Sequence, residues 1–141
     1  MEQADLFSPI LQRLKGQSDN TILAKLEAAG GVEAALEFVF RGMQDAFRSE
    51  KAAGRSLIIH YEIRGPRDVV IYQMDVCDGR CTATRGASRT PDVKLSLSLP
   101  NFLRLIMGNL GPAMAYLTGK LRVSGDLLVA AQVEGWFQRP A

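Results

Sequence analysis

The residues of this chain that could do chemistry are few and widely spaced. There is one histidine, His60, and there are two cysteines, Cys77 and Cys81, with three tyrosines, Tyr61, Tyr72 and Tyr116. Nucleophilic or metal-assisted catalysis needs these groups in a tight pattern. The chain has no GxSxG elbow, no HExxH motif and no glycine-rich phosphate loop. Two cysteines with a histidine far off in sequence are too few ligands for a metal site. Cys77 and Cys81 flank an Asp78-Gly79 turn. As a two-residue hairpin loop this turn sets Cys77 opposite Arg80 and Cys81 opposite Val76, with the sulfurs on opposite sheet faces and no disulfide. A three-residue loop would instead bring the sulfurs together. His60 falls on the polar side of its strand, which suits a surface or inter-element histidine better than a general base. Asp126, between Gly125 and an apolar run, suits a helix N-cap. Glu62 and Asp75 occupy outward strand positions as solvated charges.

The elements that position these groups follow from the periodicity. At 141 residues the chain is one domain with enough length for a real core. Its 47% hydrophobic and 23% charged residues are globular values, and its net charge of +2 is spread without a basic run, which excludes a nucleic-acid footprint. Ser8-Pro9 reads as the start of a short helix through Leu14 that stops near Gly16. Asp19 or Asn20 then caps a second helix with Ile22, Leu23 and Leu26 on its apolar face and Gly30-Gly31 as its stop. A longer helix from Val32 to about Lys51 carries Leu36, Val39, Phe40, Met43 and Phe47 at helical spacing, with Phe38 off the stripe, and Ala52-Ala53-Gly54 releases the chain.

Three strands follow. Leu57 to Arg64 alternates, with Leu57, Ile59, Tyr61 and Ile63 on the apolar side. Val69 to Cys77 turns Val70, Tyr72, Met74 and Val76 inward, and Arg80 to about Arg85 adds Cys81 and Ala83. After a polar loop, Val93 to Leu99 alternates again, and Ser98 can cap the next helix, with Leu99-Pro100-Asn101 in its first turn and its body from Asn101 to about Asn109. A short helix, Ala113 to Thr118, a strand, Lys120 to Ser124, and a last helix from Leu127 to Phe137 complete the chain. The fold class is α+β, an antiparallel sheet with one apolar face covered by helices. The domain boundaries are an N-terminal helical extension, 1–31, a main domain, 32–137, and a tail, 138–141.

The last third of the chain holds more large apolar side chains than three short helices need. Leu127, Leu128, Val129, Ala130, Ala131, Val133, Trp136 and Phe137 exceed the single stripe that seats a helix on a sheet. Either that helix lies deep in a core or one of its faces is turned towards something greasy that is not protein. Gly119 and Gly125 bracket the strand before it, at positions where a side chain would interfere.

The segment PDVKLSLSLPNFLRLIMGNLGPAMAYLTGKLRVSGDLLVAAQVEGWF resembles the C-terminal half of the sterol carrier protein 2 domain family. The resemblance rests on the alternating strand, Phe102-Leu103, and above all Gly119-Lys120-Leu121-Arg122-Val123-Ser124-Gly125-Asp126 before the terminal apolar helix. It covers about Val32 to Phe137. Two features depart from the family pattern: Leu99-Pro100-Asn101 replaces an acidic helix start, and Gln138-Arg139-Pro140-Ala141 lacks the small-basic-leucine peroxisomal address. Residues 1–31 have no counterpart in the shortest members.

What the resemblance implies is a five-stranded, mostly antiparallel twisted sheet with helices on one face and a hydrophobic tunnel between them. Such a tunnel would take a sterol, fatty acid, fatty acyl-coenzyme A or phospholipid, carried and not chemically changed. Burying about 400 Å² of such a ligand gains on the order of 10 kcal/mol before association costs. The expected floor is Tyr61, Tyr72, Met74, Leu95 and Leu97. Phe102, Ile106, Met107, Met114, Leu117, Leu127, Val133, Trp136 and Phe137 are the expected walls and lid, with Gln132 as a polar anchor. No catalytic residue, metal or cofactor is expected. The competing readings are a cofactor-independent enzyme acting on a polyketide, quinone or steroid, with Tyr61, Tyr72, Tyr116 or Cys81 as its ionisable group, and an accessory domain docking on a larger enzyme. Expected partners are a lipid or other hydrophobic small molecule, a membrane in transient contact, and a second copy through the N-terminal helices. With no apolar run near the ~20 residues of a membrane span and no basic-then-apolar start in MEQADLF, a cytoplasmic location is expected.

Overall fold

The computed structural model describes residues 4–137 apart from residue 53. The expected tail and part of the release at 52–54 lie outside the described residues.

Two helices, α1 (Ala4–Leu11) and α2 (Asp19–Ala29), open the chain. The first begins before the expected Ser8-Pro9 start and holds Pro9 inside it. A proline there forfeits one backbone hydrogen bond, while Phe7 and Leu11 on either side of it are buried. The cap of α2 is Ser18, not Asp19 or Asn20. Its side chain accepts from the Thr21 N–H at 3.2 Å, which moves Asp19 into the first turn, where a negative charge suits the helix dipole. Gly30 and Gly31 end this helix as expected, both at positive φ. Helix α3 (Val32–Asp45) is shorter than the expected run to Lys51. Phe47 bridges to Phe137 instead, the Arg48 N–H donates to the Trp136 carbonyl at 2.6 Å, and only a single turn, α4 (Ser49–Ala52), follows. Backbone groups that would have continued the helix find their partners in the C-terminal segment.

The sheet holds β1 (Leu57–Arg64), β2 (Val69–Cys77), β3 (Arg80–Arg85), β4 (Val93–Ser98) and β5 (Leu121–Gly125), in the order β3-β2-β1-β4-β5. Only β1 and β4 run parallel, so the sheet is mostly antiparallel, as expected. Asp78 and Gly79 are both left-handed, at φ 55° and 74°, the geometry of a two-residue hairpin. Cys77 therefore pairs with Arg80 and Cys81 with Val76, and both thiols are free.

Helix α5 (Leu99–Ile106) has Leu99, Pro100 and Asn101 in its first turn, as expected, with the Ser98 hydroxyl accepting from the Asn101 N–H at 3.3 Å, and it ends at Ile106, short of the expected Asn109. Helix α6 (Pro112–Leu117) and helix α7 (Leu127–Val133) flank β5, and a 3-10 turn, Glu134–Trp136, is the last described element. The apolar faces of α1 and α2 find their partner inside the chain: Phe7, Leu11, Leu14, Ile22 and Leu26 belong to the same core as the sheet. Arg104 of α5 fastens this end, reaching Asp19 Oδ1 at 2.7 Å and the Gln17 carbonyl at 3.0 Å.

The candidate site on the sheet face

Strand register places the expected floor residues side by side. Tyr72, Tyr61, Leu95 and Val123 form one row across β2, β1, β4 and β5, Met74 lies in the next row beside Ile59, and Leu97 lies in the row on the other side, beside Ile63. All five expected floor residues are buried. Two of them, Tyr61 and Tyr72, meet Phe40 of α3. Its ring stacks on Tyr72 at 4.1 Å with 7° between the planes and on Phe102 of α5 at 5.2 Å, and it meets the edge of Tyr61 at 5.5 Å. Tyr61 and Phe102 lie 5.6 Å apart. Phe40 was read from the sequence only as one member of a helical stripe that also holds Phe47, and nothing in the spacing singled it out. Burial raises the pKa of the Tyr72 phenol, with Glu37 adding to the shift.

The expected walls and lid divide into two groups. Phe102, Val133 and Trp136 are buried, while Ile106, Met107 and Phe137 are half-buried against the core. Met114, Leu117 and Leu127 instead face solvent, at 59%, 76% and 54% exposure. The terminal helix is thus not buried widely. Val129 and Val133 seat it on the sheet, and Leu127 and Leu128 are left bare. Gln132 is exposed, and its Oε1 accepts from Arg55 Nη1 at 2.8 Å. The same guanidinium lies 5.9 Å above the Trp136 ring. Arg55 went unnoticed in the sequence because 77 positions separate it from Gln132 and no local pattern links them.

Of the ionisable groups of the enzyme reading, Tyr61 and Tyr72 lie side by side on the sheet, and Cys81 and Tyr116 stand apart from them. Cys81 is buried, and desolvation, helped by the Asp75 charge, pushes its thiol up to about 12, so it is not a thiolate at neutral pH. Tyr116 is exposed on α6. His60 lies on the opposite sheet face, buried beneath residues 86–92. Its Nε2 meets Gln73 Oε1 at 3.1 Å, Gln73 Nε2 donates to Ser88 Oγ at 3.2 Å, and the Arg89 N–H donates back to Gln73 Oε1 at 3.0 Å. These bonds make it an inter-element histidine. Glu62 is not simply solvated: Lys94 at 3.1 Å and the Ser96 hydroxyl at 2.9 Å hold its carboxyl below the usual carboxylate range, the lysine contributing most. Asp75 pairs with Arg89 at 3.2 Å. Among the described residues no cluster of three or more metal-ligating side chains occurs. A surface groove of about 360 Å³ runs beside α1 and α3, lined by Phe7, Ala34, Glu37, Phe38, Arg41, Gly42 and Asp45. None of the expected site residues borders it.

Comparison with known proteins concerns the family and the fold. A model of the SCP-2 sterol transfer family matches residues 41–138. Hydroxysteroid dehydrogenase-like protein 2 of Mus musculus is 27% identical over 101 residues, which are 71% of this chain and only 20% of that protein. The chain therefore spans about a fifth of that curated relative. Among solved structures, the sec-alkylsulfatase from Pseudomonas sp. superposes with a TM-score of 0.67 at 16% identity, covering 85% of this chain and 21% of the other. Sterol carrier protein 2-like 2 from Aedes aegypti gives 0.62 at 19% identity over 74% and 98% of the two chains, and the same protein in palmitated form gives 0.54 at 19% over 67% and 90%. At these identities the structural likeness concerns the fold.

Proposed function

Because the chain belongs to the SCP-2 sterol transfer family, we propose that it binds and transfers a hydrophobic ligand, a fatty acid, sterol, fatty acyl-coenzyme A or phospholipid, between the sheet and its C-terminal helices, without catalysis. The observation that carries this reading is the family match over 41–138, which takes in β1, β2, β4 and every one of α5, α6 and α7. The apolar rows on the sheet supply the floor. In this reading Met107, Ile106 and Phe102 form the wall, Val133, Trp136 and Phe137 the far end, and Met114, Leu117 and Leu127 the rim that closes over an incoming chain. Gln132 with its hydrogen-bonded Arg55 offers a polar end with a positive charge, suited to a carboxylate. The apolar contacts would select by size and shape more than by chemical identity.

A fluorescent fatty acid, NBD-stearate, titrated into the full chain tests the proposal. The expected result is saturable emission that unlabelled palmitate competes away. Met107→Trp should fill space and weaken uptake by about tenfold, the order of effect that a misfit in an apolar pocket produces, with an unchanged circular dichroism spectrum. Equal uptake by the variant would remove Met107 from the lining, and no uptake by the natural chain would sink the carrier reading.

A further inference from the structure

The sheet has a second face, and part of it is bare. On the side opposite Tyr61 and Leu95, strand register sets Arg122, Ser96, Glu62 and Ile71 in one row across β5, β4, β1 and β2, and Ser98, Arg64 and Val69 in the next. Lys94 borders them in the row whose His60 and Gln73 lie beneath residues 86–92. Val69, 52% exposed, and Ile71 are absent from the core that the helices share with the other side, and Arg64 and Arg122 are exposed. The helices leave this patch open. It holds three cations, Arg64, Lys94 and Arg122, and one carboxylate, Glu62, a balance of +2 that equals the net charge of the whole chain, so the remaining basic and acidic residues cancel. Lys94 neutralises Glu62 at 3.1 Å. Arg64 Nη1 donates to Ser96 Oγ at 3.3 Å, and Arg122 is the cross-strand neighbour of the same serine. Among the described residues neither arginine has an ion-pair partner. A solvated sheet face is ordinary, but its charges usually offset one another, and here two guanidinium groups remain unpaired beside one hydroxyl.

We propose that this patch of the outer sheet face docks an acidic surface of a partner protein, whose carboxylates pair with Arg64 and Arg122 and whose apolar side chains meet Val69 and Ile71. The inference goes beyond the carrier reading and does not depend on it, because the patch lies on the opposite side of the sheet from the proposed ligand floor. A guanidinium presents a planar fork that a carboxylate matches with two hydrogen bonds, so charge complementarity names an acid. A second copy suits the patch poorly. Face-to-face docking of two copies would bring the unpaired arginines of both together, and like charges across an interface oppose association. Nucleic acid suits it poorly too, since Glu62 stands among the cations and no aromatic side chain is interleaved with them. Four strands and three rows span roughly 15 Å by 15 Å, and side-chain reach brings this to on the order of 400 Å². That is about half of what each partner buries in a stable complex, so the contact is a transient one.

The test uses a fluorescein-labelled peptide of eight glutamates as the acidic probe, titrated into the full chain at low salt and followed by anisotropy. The natural chain should bind it, release it as salt is raised and ignore a peptide of eight lysines. Backbone amide shifts on titration should move over 62–71, 94–98 and 121–124 and stay fixed in α1 and α2. The double variant Arg64→Glu with Arg122→Glu should weaken binding by about tenfold, since each reversal turns an exposed attraction into a repulsion. Both side chains are exposed, so the circular dichroism spectrum and the loading of NBD-stearate should not change. A second pair, Arg13→Glu with Lys15→Glu, makes the same change in net charge on exposed residues elsewhere and should leave binding intact. Equal weakening by the two pairs, shifts spread over the whole surface, or no binding at low salt overturns the proposal. So does tighter binding of a single-stranded deoxynucleotide of eight residues at the same face. A dimer broken by the Arg64 and Arg122 reversals, in a chain that ignores the acidic peptide, gives the face to a second copy and overturns it as well.

Discussion

Around Phe40 every ring has an aromatic neighbour between 4.1 and 5.6 Å away, whereas Leu117 and Leu128, no less apolar, stand 76% and 74% exposed at the sheet's edge. Composition does not separate the two regions. Position does: β1, β2 and β4 have strands on both sides and α3 and α5 above them, so a side chain on their inner face meets protein in every direction. Among the described strands β5 has a neighbour on one side only, and the helices flanking it are six and seven residues long. Fewer than two turns of helix can seat one stripe, and any further apolar residue must point away. The centre is therefore built for stability, and the edge keeps apolar surface in reserve.

The contrast can be broken most directly at its centre. Phe40→Ala should cost about 3–5 kcal/mol, since it removes the ring that three others pack against. A lowered urea midpoint at unchanged slope is the expected reading, and a loss below about 1 kcal/mol would mean that the rings do not pack together in solution. Gly125→Ala should come next, at about 2–3 kcal/mol. The glycine has φ +99°, and an added Cβ would lie 2.3 Å from the Asp92 carbonyl oxygen, a backbone atom that cannot swing aside. This position joins the edge strand to α7, so thermal unfolding with the Trp136 fluorescence as probe would follow it. Leu117→Ser sharpens the comparison from the other side. It should change stability by no more than about 0.5 kcal/mol, as exposed substitutions do. A cost approaching that of Phe40→Ala would show that α6 packs inward in solution and that the edge is a second core.

Much of the fold was legible because β alternation and turn chemistry are local. Val93 to Ser98 alternates without exception, Asp78-Gly79 specifies its own hairpin, and Ser98 and Asp126 cap the helices they precede. The misreadings fell where distant groups compete for the same backbone. Ser8-Pro9 looked like a start because proline favours first turns, yet residues before it were already helical. Val32 to Lys51 looked like one helix because nothing nearby stops the run, whereas the break after Asp45 comes where Phe47 and Arg48 pair with Phe137 and Trp136. The inward placement of Tyr61, Tyr72, Met74, Leu95 and Leu97 followed from strand parity, but the contacts of Phe40 with Tyr72 and of Arg55 with Gln132 are ones that no spacing encodes.

What the sequence by itself determined is the set of elements, the inner and outer faces of the strands, and the family. These are written in periods of two and 3.6 residues and in one specific block, Gly119 to Asp126. Only the tertiary structure decided which of the many apolar residues in the last third are covered. Burial depends on what stands opposite a side chain, and Leu117 and Leu128 are left mostly uncovered among the described residues.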